Sequence, residues 1–360
     1  MQRDIEQSVS DVQQVCQRIR QQVAVQVVGQ SEVIDQMLIA MLCQGHCLLV
    51  GVPGLAKTLM VQALAGTMNL SFGRIQFTPD LMPTDITGTE LIQESAETGQ
   101  RELQFQAGPL FTNVLLADEI NRTPPKTQAA LLEAMQERQV TVGARTRELA
   151  QPFFVLATQN PIEQEGTYPL PEAQLDRFMF QLLIDYPTES EELEIVQRTT
   201  GVESSVVSQV VNEAELEQAM LLVREMPVAS HVTQYAIRLA RLTRPGADAP
   251  GFIQTHVAWG GGPRSSQYLV LGAKAHALIN GRLSVGYEDV QAVAHPVLRH
   301  RVRLNYAASA NQITVDQLVD RILQEFPPTL TTELDNQSSS GGEHRDQSSK
   351  VFRTEDVSNA

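Results

Sequence analysis

The chain has 360 residues, of which 42% are apolar and 19% charged, and this length suits two or three domains of a globular protein. The formal net charge of −15 argues against a nucleic-acid motor, although a local basic channel in a ring could still bind phosphate. No apolar run reaches the roughly 18 residues that a membrane span needs, and the start of the chain lacks a secretory stretch. We therefore expect a cytoplasmic protein without membrane insertion.

The first half of the chain predicts an α/β core. Residues 1–26 carry apolar side chains at helical spacing, and a turn at 27–30 leads to an apolar helix through Met41. Strand-like and helix-like segments then alternate. The predicted strands are Cys47–Val50, Arg74–Phe77, Val114–Ala117, Phe153–Ala157 and Phe180–Ile184. Several are continuous apolar runs, which are typical of strands covered on both faces, so residues 27–187 predict a parallel five-stranded sheet flanked by helices.

The remainder of the chain predicts a second, smaller domain and a tail. Residues 188–330 consist mostly of helical patterns that Pro and Gly interrupt, which indicates a small all-helical domain. Residues 331–360 are rich in Ser, Gly, Gln and charge. We expect this tail to be disordered, because it holds too little apolar surface to offset the entropy cost of ordering.

A phosphate-binding loop is predicted at Gly51-Val-Pro-Gly-Leu-Ala-Lys-Thr58, between a strand and a helix. Small residues let backbone N–H groups close around phosphate oxygens, and the helix N-terminus favours an anion. The residues expected to contact nucleotide are Gly51, Pro53, Gly54, Leu55, Ala56, Lys57, Thr58 and Leu59. Lys57 would reach the β- and γ-phosphates, and the Thr58 hydroxyl would hold Mg²⁺. Ala56 replaces the usual glycine, which helical backbone angles would tolerate; the alternative is a glycine-rich turn with a solvated lysine.

An acidic pair ends the strand that begins at Val114. A buried parallel strand delivers such carboxylates to the crevice where open sheets bind ligands. Asp118 would orient Mg²⁺ or its waters, and Glu119 would polarise the water that attacks the γ-phosphorus. Alternatively, the two acids mark a strand end in solvent. Their position downstream of a phosphate loop favours the nucleotide interpretation.

At this point the sequence resembles the MoxR family of AAA+ ATPases over residues 27–325, approximately. The resemblance rests on long motifs in a fixed order: Gly51–Thr58, Phe77–Asp80 with Asp85–Gly88, Leu116–Arg122, Ala157–Pro161 and Leu170–Phe178. It implies an AAA+ P-loop NTPase core with a helical lid domain, binding ATP or ADP with Mg²⁺. The N-terminal helix and the tail are not covered.

The resemblance also implies roles for four residues. Asn160 matches the first sensor of the γ-phosphate, with a capping asparagine before proline as the alternative. Arg177 matches the arginine finger that enters a neighbouring subunit's site, with an ion pair to Asp176 as the alternative. Arg264 matches the second sensor, which would touch the γ-phosphate of its own chain. Val28 would lie near the adenine.

Two predicted hairpins and the family's activity complete the expectations. Glu94–Gln100 and Gln139–Arg145 resemble hairpins that face the ring pore in relatives, and ordinary surface hairpins are the alternative. The family implies a homo-oligomeric ring, expected as a hexamer, that remodels protein partners in a chaperone-like way, often with a von Willebrand factor A domain protein. Three alternatives remain open: a nucleic-acid motor, a chelatase-like subunit for metal insertion into a tetrapyrrole, and a nucleotide-gated binding module with negligible hydrolysis.

Overall fold

The computed structural model describes residues 2–94, 101–143, 145–161, 166–201 and 206–328. Most of the first predicted hairpin tip, Ala144 of the second, and the predicted tail at 331–360 lie outside the described residues. Within the described ranges, no helix combines the length and apolar character that a membrane crossing requires.

The described residues form the following strands and helices, each series numbered in chain order. The strands are β1 (Cys47–Val50), β2 (Phe72–Gln76), β3 (Gly88–Glu94), β4 (Arg101–Ala107), β5 (Val114–Asp118), β6 (Gln139–Val142), β7 (Arg145–Glu148), β8 (Phe154–Gln159), β9 (Phe180–Leu183), β10 (Val257–Trp259) and β11 (Arg303–Leu304). The helices are α1 (Gln2–Gln26), α2 (Ser31–Leu42), α3 (Lys57–Thr67), α4 (Pro83–Thr87), α5 (Pro125–Glu137), α6 (Glu172–Leu175), α7 (Glu189–Thr199), α8 (Glu213–Glu225), α9 (Ser230–Leu242), α10 (Gly251–His256), α11 (Pro263–Ile279), α12 (Tyr287–Ala292), α13 (Ala294–Leu298), α14 (Tyr306–Ala310) and α15 (Val315–Glu325).

The central sheet has five parallel strands in the order β2-β5-β8-β1-β9. The predicted parallel sheet flanked by helices is therefore confirmed. The predicted strand Phe153–Ala157 ended too early. In the structure β8 continues through Thr158 and Gln159, which pair with the last residues of β1. Both residues are polar, so an apolar pattern could not reveal that they belong to the strand.

Two apolar cores lie on the two faces of this sheet. Leu49 contributes to the core that also contains residues of α1, α2, α3, the helices α8 to α13 and α15. Leu48 contributes to the other core, with residues of α4 and α5. Since helices cover both faces, the edges at which the strands begin and end are left for polar side chains.

The N-terminal helix is part of the first core. Val12, Ile19 and Val23 of α1 are buried, and the helix packs against α3 and α11. Antiparallel hairpins form at β3–β4 and β6–β7, and the pair β10–β11 adds a small sheet to the predicted helical region. Through α1, the helical region and the sheet share one continuous core.

Candidate active site

The loop 51–58 connects the carboxyl end of β1 to α3. At Gly51 a Cβ atom would lie 2.8 Å from the Ile184 carbonyl oxygen, so the approach of the chain after β9 requires glycine. Gly54 has a φ of 87°, in the left-handed region that favours glycine. The Lys57 ammonium donates to the Gly51 carbonyl at 2.6 Å. The loop thus places small residues, a helix N-terminus and a lysine together, as a phosphate cradle requires.

Ala56 has a backbone conformation that we did not predict. Helical backbone angles would let alanine replace glycine here, but φ is 53° and ψ is 23°, which is left-handed. This conformation costs an L-residue about 1 kcal/mol, which explains why glycine is usual at this position. Ala56 directly precedes α3, so Lys57 and Thr58 open the helix, where backbone N–H groups have no partner within the helix.

The acidic pair at the end of β5 is fixed by one hydroxyl group. Thr158 of β8 donates to Asp118 Oδ1 at 2.6 Å and accepts from the Glu119 backbone N–H at 2.9 Å. Thr158 is fully buried, so water does not compete for these bonds. Glu119 has a φ of 57° and a ψ of 50°, a left-handed conformation that is costly for a non-glycine residue and is concentrated at functional sites.

Lys57 lies close enough to this pair for the charges to interact. Burial lowers the pKa of the Lys57 ammonium below its ordinary value, and the carboxylates of Asp118 and Glu119 raise it. The two acids therefore help to keep the lysine charged in a partly buried position.

Three further side chains contact the acidic pair, and the sequence analysis missed them. Arg74 of β2 pairs with Asp118 Oδ2 at 2.7 Å. Gln76 donates to Glu119 Oε2 at 2.8 Å, and Arg122 pairs with the same oxygen at 3.0 Å. The spacing of Arg74 and Gln76 was an available signal, because residues two apart in a strand point to the same side.

Asn160 follows β8 and lies next to the phosphate loop. Its side chain is buried, and the preceding Gln159 carbonyl accepts a bond from the Gly51 N–H at 3.4 Å. The predicted first sensor and the phosphate loop are therefore brought to one edge of the sheet, the carboxyl-terminal edge.

The segment containing Val28 reaches the same edge. The Gln30 side chain donates to the Asp185 carbonyl, just after β9, at 2.9 Å. Gly29 lies against the Glu191 side chain at the start of α7. The other predicted nucleotide contacts lie in the loop or in the first turn of α3: Pro53, Leu55, Thr58 and Leu59.

Arg177 and Arg264 lie at the opposite, amino-terminal edge of the sheet. Arg177 precedes β9, and both arginines line one cavity of about 850 Å³. His46, directly before β1, lines the same cavity. The strand from His46 to Gly51 spans about 16 Å at the usual rise per residue. Both arginines thus share a cavity with the start of β1, whereas the phosphate loop follows the end of that strand.

This placement bears on two expectations. The Arg264 guanidinium pairs with Asp176 at 3.3 Å near the start of β9, and its predicted contact with nucleotide stays a prediction. The alternative ion pair between Arg177 and Asp176 is wrong. Asp176 accepts from Arg264 and from the buried Arg301, at 2.9 Å, whereas Arg177 has no ion pair within the described ranges.

The carboxyl-terminal edge fits a nucleotide with Mg²⁺. The loop supplies N–H groups and a lysine for phosphate, while Thr58 and Asp118 supply the oxygen ligands that Mg²⁺ prefers. In the described part of the chain, no group of three or more His, Cys, Asp or Glu side chains could hold a metal ion. One hydroxyl and one carboxylate suit Mg²⁺, which keeps several waters and binds together with phosphate oxygens.

Comparison with known proteins agrees with this site. Residues 46–180 match the ATPase family associated with various cellular activities (AAA), and residues 252–322 match the AAA lid domain. A crystal structure of a Cytophaga hutchinsonii protein assigned as an ATPase superposes with a TM-score of 0.84 at 41% identity, covering 91% of this chain and 98% of that one. The fold and site define an ATPase of the AAA class with its lid domain.

Sequence relatives narrow the class further. The chaperone MoxR1 of Mycobacterium tuberculosis is 44% identical over 299 residues, which cover 83% of this chain and 78% of the relative. Protein YeaC of Bacillus subtilis is 41% identical over 300 residues, covering 82% and 89%. Protein MoxR of Paracoccus denitrificans is 33% identical over 324 residues, covering 84% and 92%. The chain belongs to the MoxR family of AAA ATPases, and the resemblance seen in the sequence is confirmed.

Proposed function

We propose that this ATPase works as a closed, Mg²⁺-dependent ring of identical subunits, a hexamer, with each nucleotide bound between two subunits. The placement of Arg177 and Arg264 at the edge opposite the loop 51–58 carries this proposal. In a head-to-tail ring, the arginine edge of one subunit faces the loop edge of the next. A complete site then needs two copies of the chain.

The loop edge, which consists of the loop 51–58 and the side chains beside it at the carboxyl ends of the strands, binds the nucleotide and orients the attacking water. The N–H groups of the loop and Lys57 hold the phosphates of ATP or ADP, and Thr58 and Asp118 hold Mg²⁺. When bound, Mg²⁺ would neutralise the negative charge of the phosphates during the reaction. Glu119 polarises the attacking water, and Asn160 positions it. Thr158 fixes both acids, so the water-activating carboxylate has a defined orientation.

The arginine edge completes the site from the neighbouring subunit. The delocalised charge of Arg177 suits the spread charge of a phosphoryl-transfer transition state. Arg264 acts beside it, oriented by its ion pair with Asp176. Because Asp176 is anchored by Arg301, both arginines are tied to the start of β9.

We assign residues 1–26 to an N-terminal helix, 27–187 to the nucleotide-binding core and 188–330 to the lid. The family matches at 46–180 and 252–322 support the core and the lid. The cytoplasmic location also stays a proposal.

Hydrolysis serves chaperone-like remodelling of a protein partner, with a von Willebrand factor A domain protein as the proposed adaptor. The M. tuberculosis relative is named a chaperone, which supports this activity. Ile92 of β3 and Leu103 of β4 lie directly opposite each other and are 69% and 67% exposed. An exposed apolar pair suits a polypeptide client better than the phosphates of a nucleic acid.

The test is the ATP hydrolysis rate per chain, measured against protein concentration with Mg²⁺ present. We expect the rate per chain to rise and then saturate as subunits assemble. A constant rate from a species that sediments as a monomer would refute the shared site. Absence of hydrolysis by assembled rings would favour a nucleotide-gated binding module.

Two variants test the loop edge. Glu119→Gln should retain ATP binding while turnover falls by about a hundredfold or more, because the water loses its general base. Lys57→Ala should lose nucleotide binding. Glu133→Gln removes an exposed carboxylate of α5 and should behave like the wild type. Normal turnover of Glu119→Gln would remove this residue from its role.

A further inference from the structure

A basic groove lies at the amino-terminal edge, in the cavity of about 850 Å³ described above. Its five cations come from distant parts of the chain, and the groove is defined by them: Arg138, Arg177, Arg224, Arg264 and Lys274. No acidic residue of the described part lines the cavity. Of the five cations, only Arg264 pairs with a carboxylate within the described ranges.

The half of the groove formed by the helical region extends beyond the two arginines already assigned to the reaction. Arg264 and Lys274 lie ten residues apart on α11, which corresponds to about 15 Å of helix. Lys274 donates to the Arg224 carbonyl at 3.0 Å, so these two cations lie side by side. Burial and the nearby Arg224 lower the pKa of Lys274, so like charges repel in this half of the groove. Ile237, 41% exposed, adds an apolar contact surface in the same cavity.

The helix α7 carries the complementary surface. None of its 11 residues is buried, so packing within the chain does little to stabilise it. Glu189, Glu192, Leu193 and Val196 share one helical face by their spacing. All four are exposed, and Leu193 and Val196 are 59% and 50% exposed. The face therefore presents two carboxylates followed by two apolar side chains.

The two carboxylates of this face are available for a partner. Glu191 caps the helix through Thr188, and Glu194 pairs with Arg198. In contrast, Glu189 and Glu192 form no side-chain hydrogen bond or ion pair within the described residues. These two acids are thus the unpaired negative charges of α7.

The position of α7 matches the proposed ring. The helix follows the carboxyl end of β9, and Glu191 lies against Gly29 in the segment expected near the adenine. It therefore belongs to the loop edge of the subunit, which faces the arginine edge of the neighbour. In the proposed ring, α7 of one subunit therefore faces the basic groove of the next.

We propose that α7 of each subunit docks into the basic groove of the next, with Glu189 and Glu192 meeting Arg224 and Lys274. The inference rests on the proposed ring and adds a second contact to it, separate from the contact of Arg177 and Arg264 with the phosphates. Leu193 and Val196 then cover the apolar wall that contains Ile237. Charge complementarity of this kind fixes the register of a subunit contact and suppresses wrong pairings.

Charge reversal tests the contact. A groove variant, Arg224→Glu with Lys274→Glu, and a helix variant, Glu189→Lys with Glu192→Lys, each place like charges together. In each variant, the protein concentration for half-maximal ATPase rate per chain should rise by about tenfold or more. The variant that carries all four changes should return to the wild-type concentration, because the attraction is restored with reversed signs.

Mixing provides an independent readout. The groove variant and the helix variant repel themselves but attract each other, so an equimolar mixture should assemble into rings of alternating subunits, seen by sedimentation velocity with Mg²⁺ and ATP. A contact between these cations and the neighbour's nucleotide would not give this recovery. The matched controls, Glu217→Lys and Arg241→Glu, change the same charges at exposed positions of α8 and α9 and should assemble normally.

Two results would overturn the contact while leaving the ring intact. In one, the groove and helix variants assemble like the wild type; in the other, the fourfold variant and the mixture stay as impaired as their parents although circular dichroism shows them folded. A wild-type chain that remains monomeric with Mg²⁺ and ATP would instead refute the ring, and this contact with it.

Discussion

The two edges of the central sheet balance their charges in different ways. At the carboxyl-terminal edge, Asp118 pairs with Arg74, Glu119 pairs with Arg122, and the Thr158 hydroxyl bonds to both acidic residues. At the amino-terminal edge, cations gather in a cavity that no acid among the described residues lines, although the chain carries a net charge of −15. The charges of the first edge are paired within the chain, whereas in the proposed ring the second edge is completed by charge from a neighbouring subunit. In that ring each subunit carries two unlike half-sites, the loop edge and the arginine edge.

The largest effect should come from separating these half-sites. Arg177→Ala should lower turnover by about a thousandfold, the range for an arginine finger, while ATP binding and assembly persist. Mixing it with Lys57→Ala should recover part of the activity, because the intact arginine edge of one variant meets the intact loop edge of the other. Arg241→Ala, an exposed arginine of α9, serves as the control. Mixed rings without recovery would place both halves of the site in one chain.

A second prediction concerns the Thr158 hydroxyl, which holds the acidic pair at the loop edge. Thr158→Val keeps the shape of the side chain but removes the hydroxyl, leaving the Glu119 N–H buried without its partner. The free energy of unfolding should fall by about 1–3 kcal/mol, and turnover by about tenfold. Thr158→Ser retains the hydroxyl, so it should keep most of the stability and most of the turnover. Urea unfolding measures the first and an ATPase assay the second. Full turnover by the valine variant would show that the acidic pair is oriented by other contacts.

The amino-terminal edge can be probed through pH. His46 is buried and bonds to the Met135 carbonyl and the Val155 N–H, each at 3.1 Å. Burial lowers the pKa of His46 to about 4 from its ordinary 6.5. The unfolded chain therefore binds the proton more readily, so the stabilising contribution is complete above pH 6.5 and is lost as the pH falls towards 4.

From pH 7.5 to pH 5, His46 should remove about 2 kcal/mol from the free energy of unfolding. Urea titrations at both pH values give the free energy of unfolding of the wild type and of His46→Gln. The loss of this free energy between pH 7.5 and pH 5 should be larger in the wild type, and the difference is the contribution of His46. If both proteins lost the same free energy of unfolding between these pH values, His46 would have the same pKa in the folded and unfolded chains.

The smallest effect concerns the backbone of the phosphate loop. Ala56→Gly relieves the left-handed conformation but makes the unfolded chain more flexible, so the net gain in stability should be under about 1 kcal/mol. Ala214→Gly, at an exposed helical position of α8, should destabilise instead. Thermal unfolding of both variants makes the comparison, and equal losses would show that Ala56 carries no strain.

Sequence alone predicted which residues lie together at the loop edge, but not which residues lie together at the arginine edge. Loop 51–58, the pair Asp118–Glu119 and Asn160 belong to short motifs beside apolar strands, so local patterns sufficed to bring them together. Thr158 was seen within such a motif, but its bond to Asp118 depends on the pairing of β5 with β8.

The position of Arg264 depends instead on how the helical region packs against α1 and α2. That packing is a tertiary property, and no local pattern along the chain encodes it. For the same reason, sequence spacing did not group Arg138, Arg224 and Lys274 with Arg177.

In the proposed ring, the separation of the half-sites along β1 and β9 also has a consequence for genetic dominance. In a closed ring, a subunit that lacks both Lys57 and Arg177 inactivates its own site and the one beside it. A cell that makes normal and doubly defective chains together would therefore lose activity faster than the defective fraction rises. A chain that lacks Lys57 alone would be milder, since it still lends its arginine edge to a healthy neighbour.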